Sequence, residues 1–144
     1  MVQRIQSLYL FFSAVISLGL ILVFELWVNV DKIKFFAMDL FDESDLAYNV
    51  VPVLFLLSGL MSLMSLSLFK ARLKQFVLNR FNILINLILL GVLIYYLLTL
   101  SGEAEVSEKG IGVLLPIIVI VLLVLANKAI KKDEDLVKSV DRLR

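Results

Sequence analysis

The chain has 144 residues, of which 61% are hydrophobic and 19% charged, and its formal net charge is +1. A water-soluble domain carries about 45–50% apolar residues, so a mean hydropathy of +1.00 identifies lipid as the solvent this chain is built for. With no Cys and no His, the composition excludes thiol nucleophiles, disulfides, haem attachment, histidine proton relays, Ser-His-Asp triads and the usual zinc sites. The near-neutral balance gives no reason to expect nucleic-acid binding.

The first apolar run is Leu8 to Phe24, flanked by Arg4 and by Glu25, Trp27, Asn29 and Asp31. It is longer than the 7–15-residue core of a signal peptide and lacks a small-x-small cleavage site, so it reads as a retained helix over about residues 5–28. From Arg4 to Glu25 is roughly 31 Å at 1.5 Å per residue, the thickness of a hydrocarbon core. Glu25 is therefore expected at an interface, with Trp27 as its aromatic anchor. A carboxylate at that boundary, with no ionisable group inside any span, argues against a proton- or ion-coupled transporter.

A loop of about 20 residues follows, Asn29 to Asn49. Its apolar stretches around Asn29-Val30-Asp31-Lys32 fit either a small β-hairpin or a segment lying at the interface. Asp42, Glu43, Ser44 and Asp45 read as a solvated turn. The second span covers about 50–69 and opens on Pro52, tolerated in a first turn. Within it Ser58, Ser62 and Ser65 stand at i, i+4, i+7 beside Gly59. Two readings stay open: a polar stripe lining a permeation path, or a small-residue face for close helix packing.

The connection Lys70 to Arg80 is basic and holds no acid, and the third span follows over about 80–100. Asn79, Asn82 and Asn86 repeat at i, i+3, i+7. An amide in hydrocarbon needs partners, so this face turns inward, either setting helix register or lining a polar cavity. The polar segment Ser101 to Gly110 reads as a plain connector, and the fourth span runs over about 111–130 with Pro116 in its first turns. In the tail, 131–144, Leu136, Val140 and Leu143 fall on one helical face. Glu134–Lys138 and Asp141–Arg144 are spaced as intrahelical pairs. That face is expected to pack on the Arg72–Phe76 connection, to lie on lipid, or to dock a partner.

Eleven of the fourteen basic residues lie at the N-terminus, in Lys70–Arg80 and in the segment from Lys128 onward, whereas nine of the thirteen acids lie in segments 25–49 and 101–110. Short basic loops stay cytoplasmic, so both termini are expected inside. None of the spans alternates, which argues against a transmembrane barrel.

Several stretches carry a resemblance. The opening Met1-Val2-Gln3-Arg4-Ile5-Gln6-Ser7-Leu8-Tyr9-Leu10, Phe69-Lys70-Ala71-Arg72 with Gln75, the stretch Asn82-Ile83-Leu84-Ile85-Asn86-Leu87, and the ending from Leu125-Ala126-Asn127-Lys128 through Lys132-Asp133-Glu134 to Asp141-Arg142-Leu143-Arg144 resemble a bacterial family of small four-helix membrane proteins of unknown function. The resemblance covers nearly the whole chain and implies a four-helix inner-membrane protein, with no activity attached.

The sequence thus predicts one all-α, integral-membrane four-helix bundle, N-in and C-in, in a bacterial inner membrane. It predicts no catalytic, cofactor-binding or metal-binding residues. The leading functional expectation is a non-enzymatic accessory or scaffold protein, whose partners are the bilayer and a membrane protein or a second copy. The alternative is a small transporter or lipid-binding protein using the polar face between helices two and three.

Overall fold

The computed structural model describes residues 3–29, 31–42, 48–102 and 106–144. Four helices, α1 (Gln3–Leu18), α2 (Val50–Ser67), α3 (Arg72–Gly102) and α4 (Leu115–Arg142), account for most of the chain. Each belongs to a segment long and apolar enough to cross a bilayer: Ile5–Leu22, Val50–Ser67, Arg72–Thr99 and Ile111–Arg142. The helices stand in a square, with α1 and α3 each packed between α2 and α4. Ser13 faces Ser62 while Ser17 faces Ser58, so α1 and α2 are antiparallel. Below, "basal" denotes the end where α1 starts and α4 finishes.

Buried residues recur at steps of three and four along the helices. On α2 they are Val51, Phe55, Ser58, Ser62 and Ser65; on α3, Gln75, Asn79, Asn82, Asn86, Leu89, Leu93 and Leu97; on α4, Val119, Leu123, Ala126, Ile130 and Asp133. Such a repeat keeps one seam of each helix on the bundle axis. Side chains off the seam, such as Leu8, Phe11, Phe12, Leu84 and Leu87, are exposed and form the apolar exterior that a bilayer requires.

The end opposite the base is closed by a three-stranded antiparallel sheet in the order β2-β1-β3, formed by β1 (Trp27–Asn29), β2 (Lys34–Phe35) and β3 (Val106–Lys109). Trp27 lies opposite Phe35 on one side and Lys109 on the other, and the register slips between Val28 and Asn29. The Trp27 and Phe35 rings stack with centroids 5.9 Å apart. The β1–β2 connection includes Lys32 with φ 61°, a left-handed conformation that L-residues adopt at a cost.

Three expectations are corrected here. The first helix does not reach residue 28: it ends at Leu18, a 3-10 turn covers Leu20–Leu22, and Trp27–Asn29 is a strand. Aromatic and β-branched side chains suit a pleated surface, and a strand paired on both sides outweighs helical continuation. Trp27 is consequently buried at 5% exposure, so it is packing inside this cap instead of anchoring at an interface. The connector Ser101–Gly110 is also more than a linker, because it supplies β3. The hairpin reading of the first loop holds, and the expected solvated turn at Glu43–Asp45 lies outside the described residues.

The cap is fastened at two glycines. Gly110 N–H donates to Leu26 O and Gly112 N–H to Glu25 O, both at 2.9 Å. A Cβ at Gly110 would lie 2.0 Å from Glu25 O, so the approach is possible only without a side chain. At the base, α3 begins at Arg72, about two turns before the expected start. The basic residues there tolerate a helix because their stems lie along its surface. The Arg80 guanidinium sits 4.5 Å from the centroid of the Phe76 ring, a cation–π contact on the helix exterior. The chain between α2 and α3 is only Leu68–Ala71.

Candidate functional site

Inside the basal half of the bundle runs a column of polar side chains, built in layers by the seam positions. The layer deepest in the bundle joins Ser17 and Ser58, hydroxyl to hydroxyl at 3.3 Å, with Asn86 Nδ2 donating to Ser58 Oγ at 2.7 Å. One step towards the base, Ser13 and Ser62 meet at 2.9 Å, and Asn82 Nδ2 donates to Ser62 Oγ at 2.8 Å and to Ser58 O at 3.0 Å. Asn86 Nδ2 also reaches Asn82 O and Oδ1. In the next layer Ser65 Oγ donates to Asn79 Oδ1, and Asn79 Nδ2 donates to Asn127 Oδ1 at 3.0 Å. Gln75 Nε2 then donates to Ser65 O at 3.0 Å.

All six residues singled out on α2 and α3 lie in this column. Ser58, Ser62, Ser65, Asn79, Asn82 and Asn86 are each at most 1% exposed. Their hydroxyls and amide groups are largely satisfied by one another, by backbone, and by Ser13, Ser17 and Asn127. Those last three residues, with Gln6 and Gln75, were not anticipated as part of a site. The signal was present: Gln6, Ser13 and Ser17 occupy the same three-and-four stepping as Ser58, Ser62 and Ser65.

Gly59 makes the column possible. A Cβ there would lie 2.3 Å from Leu18 Cγ, so glycine allows α1 and α2 to approach until serine hydroxyls touch across the interface. Beyond Asn86 the seam becomes wholly apolar, through Phe55, Leu89, Leu93, Val119 and Val51, all with no exposure. The column is thus blind: it ends at mid-bundle beneath packed hydrocarbon, which the sheet in turn covers.

The bookkeeping does not close at every atom. Among the described residues, Gln6 Nε2 and Oε1, Gln75 Oε1, Asn86 Oδ1 and Asp133 Oδ2 are buried without a hydrogen-bond partner in the protein. Each unmet group of this kind costs about 1–3 kcal/mol.

The tail forms a second surface. The helix continues unbroken to Arg142, and Lys138 Nζ pairs with Glu134 Oε1 at 3.0 Å. The expected Asp141–Arg144 pair is not formed, Arg144 lying past the helix end. Leu136, Val140 and Leu143 are 51%, 60% and 90% exposed. They do not pack on the Arg72–Phe76 segment. At the level of Arg72, the α4 residue beside the α2–α3 turn is Glu134, and the seam beyond Asp133 runs past the ends of α1 and α3.

Glu25, between the Leu20–Leu22 turn and β1, pairs with Lys34 of the hairpin at 3.5 Å. No group of three or more acidic residues converges as a metal site among the described residues.

Residues 2–143 match the sequence model of a domain of unknown function, DUF4293. The chain belongs to this family. Neither a curated protein nor a solved structure matches it. Membership in DUF4293 spans both surfaces described above, the interior column and the tail, and assigns a role to neither.

Proposed function

We propose that this DUF4293 protein is a non-enzymatic accessory or scaffold subunit of a bacterial inner membrane, with both termini in the cytoplasm. The observation that carries this reading is the blind, self-bonded column. Its hydroxyls and amides are occupied mainly in holding four helices together, and among the described residues no polar side chain continues the seam beyond Asn86. Recognition then falls to the exterior, and the tail offers an apolar stripe on a helix that outruns its neighbours. The concentration of basic residues at the basal end supports the orientation.

Deleting Leu136–Arg144 tests the role. The full chain, purified in gentle detergent from its native membrane, should bring a stoichiometric partner that the truncated chain loses. An equally solitary protein with and without the tail would overturn the reading.

The second reading, a small transporter or lipid-binding protein using the face between α2 and α3, is favoured by one observation, the unpartnered Asn86 Oδ1. It requires a solute that raises the thermal midpoint of the wild-type protein and not of Asn86→Leu. No solute-specific shift would remove it.

A further inference from the structure

The two glutamines at the base of the column occupy one layer. Ser13 of α1 and Asn82 of α3 both bond Ser62 Oγ, so they are level with each other. Gln6 and Gln75 each lie seven residues towards the base from that level, on helices that run in the same direction. Both are fully buried and on the seam. Gln6 has neither amide atom partnered and Gln75 has a free Oε1. Close to the basal mouth, Asp133 continues the α4 seam at 6% exposure with Oδ2 unpartnered.

We propose that this basal layer is a binding site for an ordered cluster of water molecules, held by Gln6 and Gln75 and reaching Asp133 at its mouth. The unmet groups select the ligand. Three oxygens need a donor, and Gln6 Nε2 needs an acceptor. A bare cation would satisfy the oxygens while facing the Gln6 N–H dipole, and the basic residues Arg72, Lys131 and Lys132 of the same end disfavour it further. An anion would satisfy Nε2 and confront three oxygens. Water donates and accepts, and a buried water typically makes about three hydrogen bonds to groups otherwise unmet. The site is a hydrated vestibule whose upper wall is the self-bonded serine–asparagine layers.

The test uses the full chain, labelled with nitrogen-15, in mild detergent. Side-chain amide signals of Gln6, Gln75 and Asn82 are assigned with Q6L, Q75L and N82L variants. Exchange of their protons with water is then measured on the wild type. The Gln6 amide, whose Nε2 has no partner in the protein, should exchange at least about 100-fold faster than those of Asn82, bonded to Ser58 O and Ser62 Oγ, and of Gln75, bonded to Ser65 O. Equal protection of all three would overturn the proposal. A thermal midpoint raised by Q6L would also overturn it, because a dry, unpartnered amide is the group whose removal stabilises. A rise with sodium or ammonium chloride over choline chloride, absent in D133N, would assign the site to a cation instead.

Discussion

The Ser13 and Ser62 hydroxyls meet at 2.9 Å across the α1–α2 interface, 49 residues apart in sequence. Two small side chains can touch only if their backbones come close, and Gly59, one turn from Ser62, is the residue that lets them. The hydrogen bond and the glycine are thus one device, and they should fail together.

Gly59→Val should destabilise the bundle by about 1–3 kcal/mol, the range for forcing extra methyl groups into a packed interface. Thermal unfolding in detergent measures this. A variant with the wild-type midpoint would show that Leu18 relaxes without loss.

A double-mutant cycle of Ser62→Ala with Asn82→Leu should yield a coupling energy of about 0.6 kcal/mol, the average for cross-helix hydrogen bonds in membranes, and no more than about 1.7. Such a value would mean that the column sets helix register more than it supplies stability. The measurement is the same unfolding transition, read for the wild type, both single variants and the double variant.

Gly110→Ala should disturb the cap more than its single methyl group suggests, since the new Cβ would lie 2.0 Å from Glu25 O. The expected outcome is loss of the Gly110–Leu26 backbone bond and faster amide exchange at Leu26 and Trp27. Gly91→Ala is the control: a Cβ there meets nothing within 4 Å, and exchange in the cap should not change.

Lys32→Gly should stabilise the β1–β2 hairpin by up to about 1 kcal/mol, because glycine adopts positive φ without the steric cost borne by a side chain. Slower exchange at Leu26 N–H, which donates to Phe35 O at 2.8 Å, would report it.

Glu25→Gln should change stability by less than about 1 kcal/mol, as expected for a pair whose lysine is 58% exposed. A larger loss would mean that the surroundings of Glu25 screen it less than its exposure indicates.

The four spans were legible because apolar composition alone decides them, and the tail helix because Leu136, Val140 and Leu143 repeat at helical spacing. The inward faces of α2 and α3 were legible too, since amides and clustered hydroxyls in hydrocarbon demand partners. Ser13 and Ser17 were not, because a serine in an apolar helix can satisfy itself on its own backbone, so the spacing they share with Gln6 did not by itself demand a partner. The start of α3 was misjudged because Arg72, Lys74 and Arg80 make a loop-like composition, although long basic side chains can lie along a helix. The strand Trp27–Asn29 was hidden for a different reason. Three residues carry no periodicity, and one of its two pairing partners, β3, lies almost eighty positions further along the chain.

That separation constrains the order of assembly. A chain leaving the ribosome offers Trp27–Asn29 first and Val106–Lys109 only after α2 and α3 have been made, so the central strand has one open edge until α3 is in place. The lid over the bundle therefore cannot close until α1, α2 and α3 have all been synthesised. Any factor guarding nascent membrane proteins has the bare flank of that strand to recognise throughout that interval.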